Sequence, residues 1–347
     1  MKPQRNVAVD VIRLLAGVGV IWIHVTDPFI SYPPFMGVGG TSWWVLNFIN
    51  VLFRTSVPLF IMISGLLLLD ISKPLDYHTF YSRRFSKIGI PTLLWITIYS
   101  AIYVFLGEIK DVGKFIYLLT TVNIADLYFL ILILELYFIT PLLHTFLKSS
   151  GKKALPFIVL STLIFTTIIT ASNYAFPHNA ANLTGNITTV FLPFLFYYLL
   201  GLLLKNIKIS LSSVISLVII YFYFSIFIGI ISNGQVNSYT RNFEGIPVII
   251  LTIIAFVTLL QVNSIKLLHN GKVMSGIRYL SSLVFGAYLA HVLILLLFDK
   301  VLRTMIPESI GGLTIQIVAL KFVIVLVGAF GLAALIRKVP VIKFLSA

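Results

Sequence analysis

The sequence contains no cysteine. That excludes a disulfide framework, a thiolate nucleophile and any cysteine-ligated metal. Charge is scarce too: Asp, Glu, Lys and Arg make up 10% of the 347 residues, and only 11 are acidic. Soluble domains carry about a quarter charged residues. The gap is filled by apolar side chains, 59% of the total, with a mean hydropathy of +1.03. Such a composition belongs in a lipid bilayer. The formal net charge of +14 is dispersed between apolar runs rather than gathered in one stripe, so no nucleic-acid partner is expected. No His-x-x-x-His pair or other ligand spacing occurs, and no metal is expected.

The apolar runs predict an all-α, polytopic membrane protein of about ten transmembrane helices, organised as a single domain over 1–347. The spans fall near 8–27, 43–69, 88–107, 126–147, 154–173, 188–204, 210–231, 246–264, 281–299 and 313–336. Lys2 and Arg5 precede the first run as in a signal peptide, but no small-residue cleavage site follows, so a retained first helix is expected. Seventeen loop Lys and Arg residues fall on the side of the N-terminus and five on the other, while Arg13, Arg54 and Lys321 lie within spans. That asymmetry places both termini in the cytoplasm. Trp43 and Trp44 are then expected at the outer interface. The outer loops 28–42 and 174–187, rich in Gly, Pro, Asn and aromatics, suit a neutral polyhydroxyl acceptor or are ordinary loops. The sequons at Asn182 and Asn186 are read as chance.

Ionisable groups inside such spans are costly and therefore informative. The first helix carries Asp10, Arg13, His24 and Asp27. Arg13 and His24 are eleven residues apart, a rise of roughly 16 Å that returns them to within about 20° of one face. Asp10 and Asp27 each sit three residues from a basic partner, within reach on a helix. On spacing alone, Arg13 at the inner headgroups and His24 at the outer interface is an equal alternative. Arg54 in the second span needs a partner such as Glu135 or Asp27. Pro58 is expected to open that helix, and Ser64-Gly65 to permit close helix contact. Arg83, Arg84 and Lys87 enter the third span, with Arg84 and Lys87 expected on one face. Tyr128 and Glu135 lie in the fourth span, where an ion pair is expected for Glu135. Tyr288 and His291 lie in the ninth. His78, His144, His178 and His269 fall at loop edges.

In order, these motifs resemble the integral-membrane acyltransferase family 3. Arginine, ten residues and histidine in the first helix, opened by Asp10-x-x-Arg13, look like its signature. Val57-Pro-Leu-Phe with Ser64-Gly65 resembles its second helix, Tyr128-Phe-Leu its fourth, and Ser281 through Gly286-x-Tyr288-Leu-x-His291 its late segment. The basic motif departs in one place, with Lys87 where the family has arginine, which loses bidentate geometry. The resemblance implies O-acylation of bacterial surface polysaccharides. It implies acyl-CoA, acetyl-CoA foremost, as co-substrate, and a glycan or lipid-linked sugar as acceptor. His24 would act as general base oriented by Asp27, or as a transient acyl carrier, with Arg13 positioning the donor. Arg83, Arg84 and Lys87 would hold the CoA phosphates, although ordinary positive-inside anchoring explains them too. Arg54, Tyr128, Glu135, Tyr288 and His291 would line the substrate path. The rival reading is a transporter or flippase for a glycan, lipid or small anion, which intramembrane Arg, Glu and His also fit. The expected location is the bacterial cytoplasmic membrane.

Overall fold

A computed structural model describes residues 6–31, 40–72, 74–107, 109–113, 127–151, 153–175, 191–210, 212–215, 218–219, 241–264, 270–305, 315–339 and 342–346. Most of the expected span 210–231 lies outside the described residues. So do most of both outer loops, Asn182, Asn186, His178 and His269. Among the described residues the regular structure is all helical. Six helices are long and apolar enough to cross a membrane, and Ala154–Ile168, Leu192–Leu203 and Ile246–Leu260 are shorter apolar helices. Phe138 and Phe157, each 74% exposed, and Leu142, at 72%, are typical of the outward faces. Water would not tolerate such surfaces; acyl chains do.

The chain forms two compact units: Met1–Phe60 with Asn206–Ala334, and Ile61–Lys205 with Leu335–Ala347. The first holds α1 (Val7–Ser31), α2 (Thr41–Phe53), α9 (Ile246–Leu260) and α10 (Gly271–Met305), with most of α11 (Ile315–Lys338). Its core is built from Ile21, Val25, Phe29, Leu46, Leu283, Ala287, Val318 and Val325, among others. Trp43 is 2% exposed there, and its indole N–H donates to the Ile30 carbonyl at 3.4 Å. Trp43 packs against its neighbours inside the protein, where the last turn of α1 supplies its acceptor.

Prolines shape the helices at a distance of four residues. The second span is two helices, α2 and α3 (Ser56–Leu68), broken at Arg54–Thr55 rather than at Pro58. Pro58 cannot donate to the Arg54 carbonyl and its ring crowds that group, so the break falls where the lost bond would have ended. The third span begins at Tyr77, eleven residues earlier than expected, because the chain does not stop before Pro91. Helix α4 (Tyr77–Arg84) passes through a π-helical turn, Phe85–Gly89, into α5 (Ile90–Phe105). The Ile90 N–H reaches back to the Phe85 carbonyl, a five-residue step that accommodates the proline. Asp76 caps α4 by accepting the Thr79 N–H at 3.0 Å. The Thr79 hydroxyl and N–H hold its exposed carboxyl below the usual range.

In the second unit lie α6 (Tyr128–Ser150), α7 (Ala154–Ala175) and α8 (Leu195–Leu203), the last preceded by a 3-10 turn at Leu192–Phe194. Helices α3 and α8 cross with backbones in contact. A Cβ on Gly65 would lie 1.7 Å from the Tyr198 carbonyl oxygen, and one on Gly201 would lie 2.0 Å from that of Met62. Only glycine fits at either position.

Candidate active site

Helix α1 runs unbroken from Val7 to Ser31, through Pro28. Pro28 has no N–H to close on the His24 carbonyl four residues back, so the turn carrying the imidazole is loosened within a continuous helix. Two glycines let neighbours approach this helix. A Cβ on Gly17 would meet Val284 of α10 at 2.6 Å, and one on Gly19 would meet Ser56 Oγ at 2.1 Å and the Phe53 ring at 2.5 Å. The long residues of the face are thereby held against α10 on one side and the α2–α3 junction on the other.

At the N-terminal end of α1, Asp10 is wholly buried and accepts the Ser281 hydroxyl of α10 at 2.9 Å. Arg13 Nη1 lies 3.6 Å from the same carboxylate oxygen while its side chain keeps 34% exposure. The buried acid thus holds the guanidinium end of an arginine that stays about one-third exposed.

At the C-terminal end, Asp27 gathers two guanidinium groups. Arg54 Nη2 donates to both of its oxygens, at 2.6 and 2.7 Å, and Arg241 Nη2 donates to one of them. Asn50 Nδ2 donates to Asp27 at 2.9 Å and to the Thr26 hydroxyl at 2.8 Å, and Arg54 Nε donates to Asn50 Oδ1 at 3.2 Å. Arg54 also lies over the Phe243 ring at 5.4 Å. The carboxylate expected to orient His24 directs these bonds to arginine and asparagine. The Asp27 partner expected for Arg54 is found. Arg241, Asn50 and Thr26 were not foreseen as members of this network.

Between these ends, His24 is half-buried, and its ring centroid lies 5.0 Å from that of His291, with 40° between the planes. His291 is wholly buried on α10, and its Nδ1 meets the Tyr288 carbonyl one turn earlier. The Tyr288 ring is 5.5 Å from the His291 ring. Arg13, His24, Asp27, Arg54, Tyr288 and His291 therefore all belong to the first unit.

Arg83, Arg84, Lys87, Tyr128 and Glu135 belong to the second. Arg83 and Lys87 are exposed. Arg84 is half-buried with its guanidinium over Phe80 and Tyr137, at 5.5 and 5.3 Å. The expected shared face of Arg84 and Lys87 assumed α-helical spacing, and the π turn between them alters it. Tyr128 opens α6, half-buried. Glu135, for which an ion pair was expected, accepts the Phe191 backbone N–H at 3.1 Å, at the start of the turn leading into α8. A carboxylate at a helix N-terminus is satisfied by the orphan donors there.

The fold and site together define a polytopic membrane protein with an imidazole pair set between two carboxylate–arginine clusters. A family model described as an acyltransferase domain, that of acyltransferase family 3, matches residues 6–338, and the chain belongs to this family. It is a membrane acyltransferase, and of the two readings of the intramembrane charges this is the one the family carries. No curated protein and no solved structure matches the chain.

Proposed function

We propose that the protein moves an acyl group, acetyl foremost, from cytoplasmic acyl-CoA to a hydroxyl of a cell-surface or lipid-linked glycan across the bacterial cytoplasmic membrane. The observation that carries this reading is the placement of His24, half-buried on α1 between Arg13 and the Asp27 cluster and beside a second imidazole. His24 takes the proton of the acceptor hydroxyl as its oxygen attacks the thioester carbonyl carbon. The carbon–sulfur bond breaks, and the proton passes from His24 to the departing CoA sulfur. Imidazole suits the task because it exchanges protons near neutral pH. Arg13 positions the acyl donor along the path. The exposed Arg83 and Lys87, with Arg84 braced on two rings beside them, take the CoA phosphates. Arg54, Tyr128, Glu135, Tyr288 and His291 line the path or brace residues that do.

The test is release of CoA thiol by purified protein in detergent, with acetyl-CoA and succinyl-CoA offered separately and with glycan acceptors added. Release that rises with a polyhydroxyl acceptor is expected. A folded protein that releases thiol from neither thioester would contradict the proposal.

A further inference from the structure

The first unit carries a second half-buried arginine near Arg13: Arg278, two turns into α10, which has no role so far. We infer that Arg278 is a phosphate-binding residue. With Arg13 it takes a phosphate of the nucleotide part of the acyl-CoA donor, at the end of the α1–α10 seam remote from His24. The inference rests on the acyl-CoA reading above and concerns the first unit by itself.

Helices α1 and α10 run in the same direction along this seam. Asp10 meets Ser281, Gly17 meets Val284, and the His24 ring lies beside that of His291. Arg278 precedes Ser281 by one turn and is therefore level with Val7, the first residue of α1. Arg13 follows Asp10 by one turn, and its Nη1 lies 3.6 Å from the Asp10 carboxylate. The two arginines thus bracket the Asp10–Ser281 hydrogen bond, with roughly 9 Å of rise between their roots.

Arg278 Nε is buried and has no hydrogen-bond partner among the described residues. An arginine that only anchors a helix at the headgroups keeps its guanidinium in water; a buried N–H without an acceptor costs free energy that anchoring does not offset. No carboxylate stands ready to meet it. The sequence has no Asp or Glu before Asp10 and none between Glu244 and Asp299. Asp10 is engaged by Ser281 and lies beside Arg13. Asp27 and Asp299 belong to the far end of the seam, Asp299 eight residues beyond His291 and paired with Lys321. Two guanidinium groups against one carboxylate leave the near end net positive, beside the first turn of α1, whose dipole also favours an anion.

Phosphate is the anion that a guanidinium fork fits, and length selects its source. The pantetheine arm of CoA, from phosphate to sulfur, spans about 15 Å extended, as four to five residues of extended chain do. Arg13 and His24 are separated by roughly 16 Å along one face of α1. A thioester brought to His24 therefore leaves the phosphate end of its arm at Arg13. The nucleotide lies beyond, at the level of Arg278.

The experiment measures thiol release by purified full-length protein from two donors, acetyl-CoA and acetyl-pantetheine, which has the same thioester and arm but no phosphate. Arg278→Gln, which removes the charge, is expected to raise KM for acetyl-CoA about tenfold with kcat within about twofold. Its kcat/KM for acetyl-pantetheine should stay within about twofold of wild type. An unchanged KM for acetyl-CoA would overturn the inference, as would equal losses on both donors, the mark of a structural fault. If Arg278→Gln does not fold, Arg278→Lys decides by the same comparison: a loss confined to acetyl-CoA supports the inference, and a shared loss or none overturns it. The unfolding midpoint separates the two sources of phosphate. CoA at one fixed concentration should raise the midpoint of wild type more than that of the variant, and phosphatidylglycerol should raise both alike. A difference seen with phosphatidylglycerol and not with CoA would assign Arg278 to a lipid headgroup and overturn the inference. If wild type turns over neither thioester, the acyl-transfer reading itself fails. The CoA midpoints then decide the site: a shift lost in the variant keeps it, and an equal shift removes it.

Discussion

The two ends of α1 use the same residue types in opposite ways. At the N-terminal end a buried carboxylate lies beside an arginine three residues away on the same helix, and that arginine stays 34% exposed. At the C-terminal end Asp27, 32% exposed, is shared by two arginines brought from elsewhere in the chain, whose side chains keep only 13% and 9% exposure. In the first arrangement a buried acid lies beside a partly exposed cation of its own helix. In the second it neutralises cations that the fold has buried. A carboxylate three residues from a histidine can still direct its bonds to residues from elsewhere in the chain, as Asp27 does to Arg54, Arg241 and Asn50.

The largest effect expected from breaking this comparison is on stability at the Asp27 end. Asp27→Ala leaves two guanidinium groups without their carboxylate and should cost about 2–3 kcal/mol, less than a fully buried pair because Asp27 keeps a third of its surface. Thermal unfolding in detergent should show it, and an unchanged midpoint would mean the network contributes nothing. Next comes the spacing between the two ends. Gly19→Ala drives a methyl group into Ser56 and the Phe53 ring and should cost about 1–2 kcal/mol. Adding Ser56→Ala should return part of that loss, and a full-cost double variant would place the strain elsewhere. Asp10→Asn keeps an acceptor for Ser281 but removes the charge beside Arg13. Turnover should fall about tenfold with stability changed by under about 1 kcal/mol, the reverse of the Asp27 pattern. Two ends that respond alike would erase the distinction. The smallest effects belong to the exposed cations of the second unit. Arg83→Ala or Lys87→Ala should raise KM for acetyl-CoA several-fold each, with no change in the unfolding midpoint.

Much of this architecture was legible in the sequence because long apolar runs have few alternatives. Nine of the ten expected spans correspond to described helices, and most of the tenth lies outside the described residues. The boundaries that moved did so for identifiable local reasons. Pro58 and Pro91 act on the residue four before them, so the break at Arg54–Thr55 and the π turn at Phe85–Gly89 stand upstream of the prolines that provoke them. Gly65 was read as a place of close contact and is one. At the site, Arg13, His24, Asp27, Arg54, Glu135 and His291 could each be singled out as costly within an apolar span. Their partners could not. Arg241 lies 214 residues from Asp27 and read as one of a few loop cations, and Glu135 met a backbone N–H rather than an arginine. Burial cost identifies a residue that needs a partner, whereas the choice of partner is made by tertiary packing.

The central claim is that His24 is the base of acyl transfer, and the most direct measurement compares single-turnover acetyl-CoA consumption by purified wild type and His24→Ala at saturating donor. The account predicts donor binding unchanged and turnover lower by about a thousandfold, within the usual contribution of a positioned general base. Equal turnover in the two proteins, both folded, would contradict it.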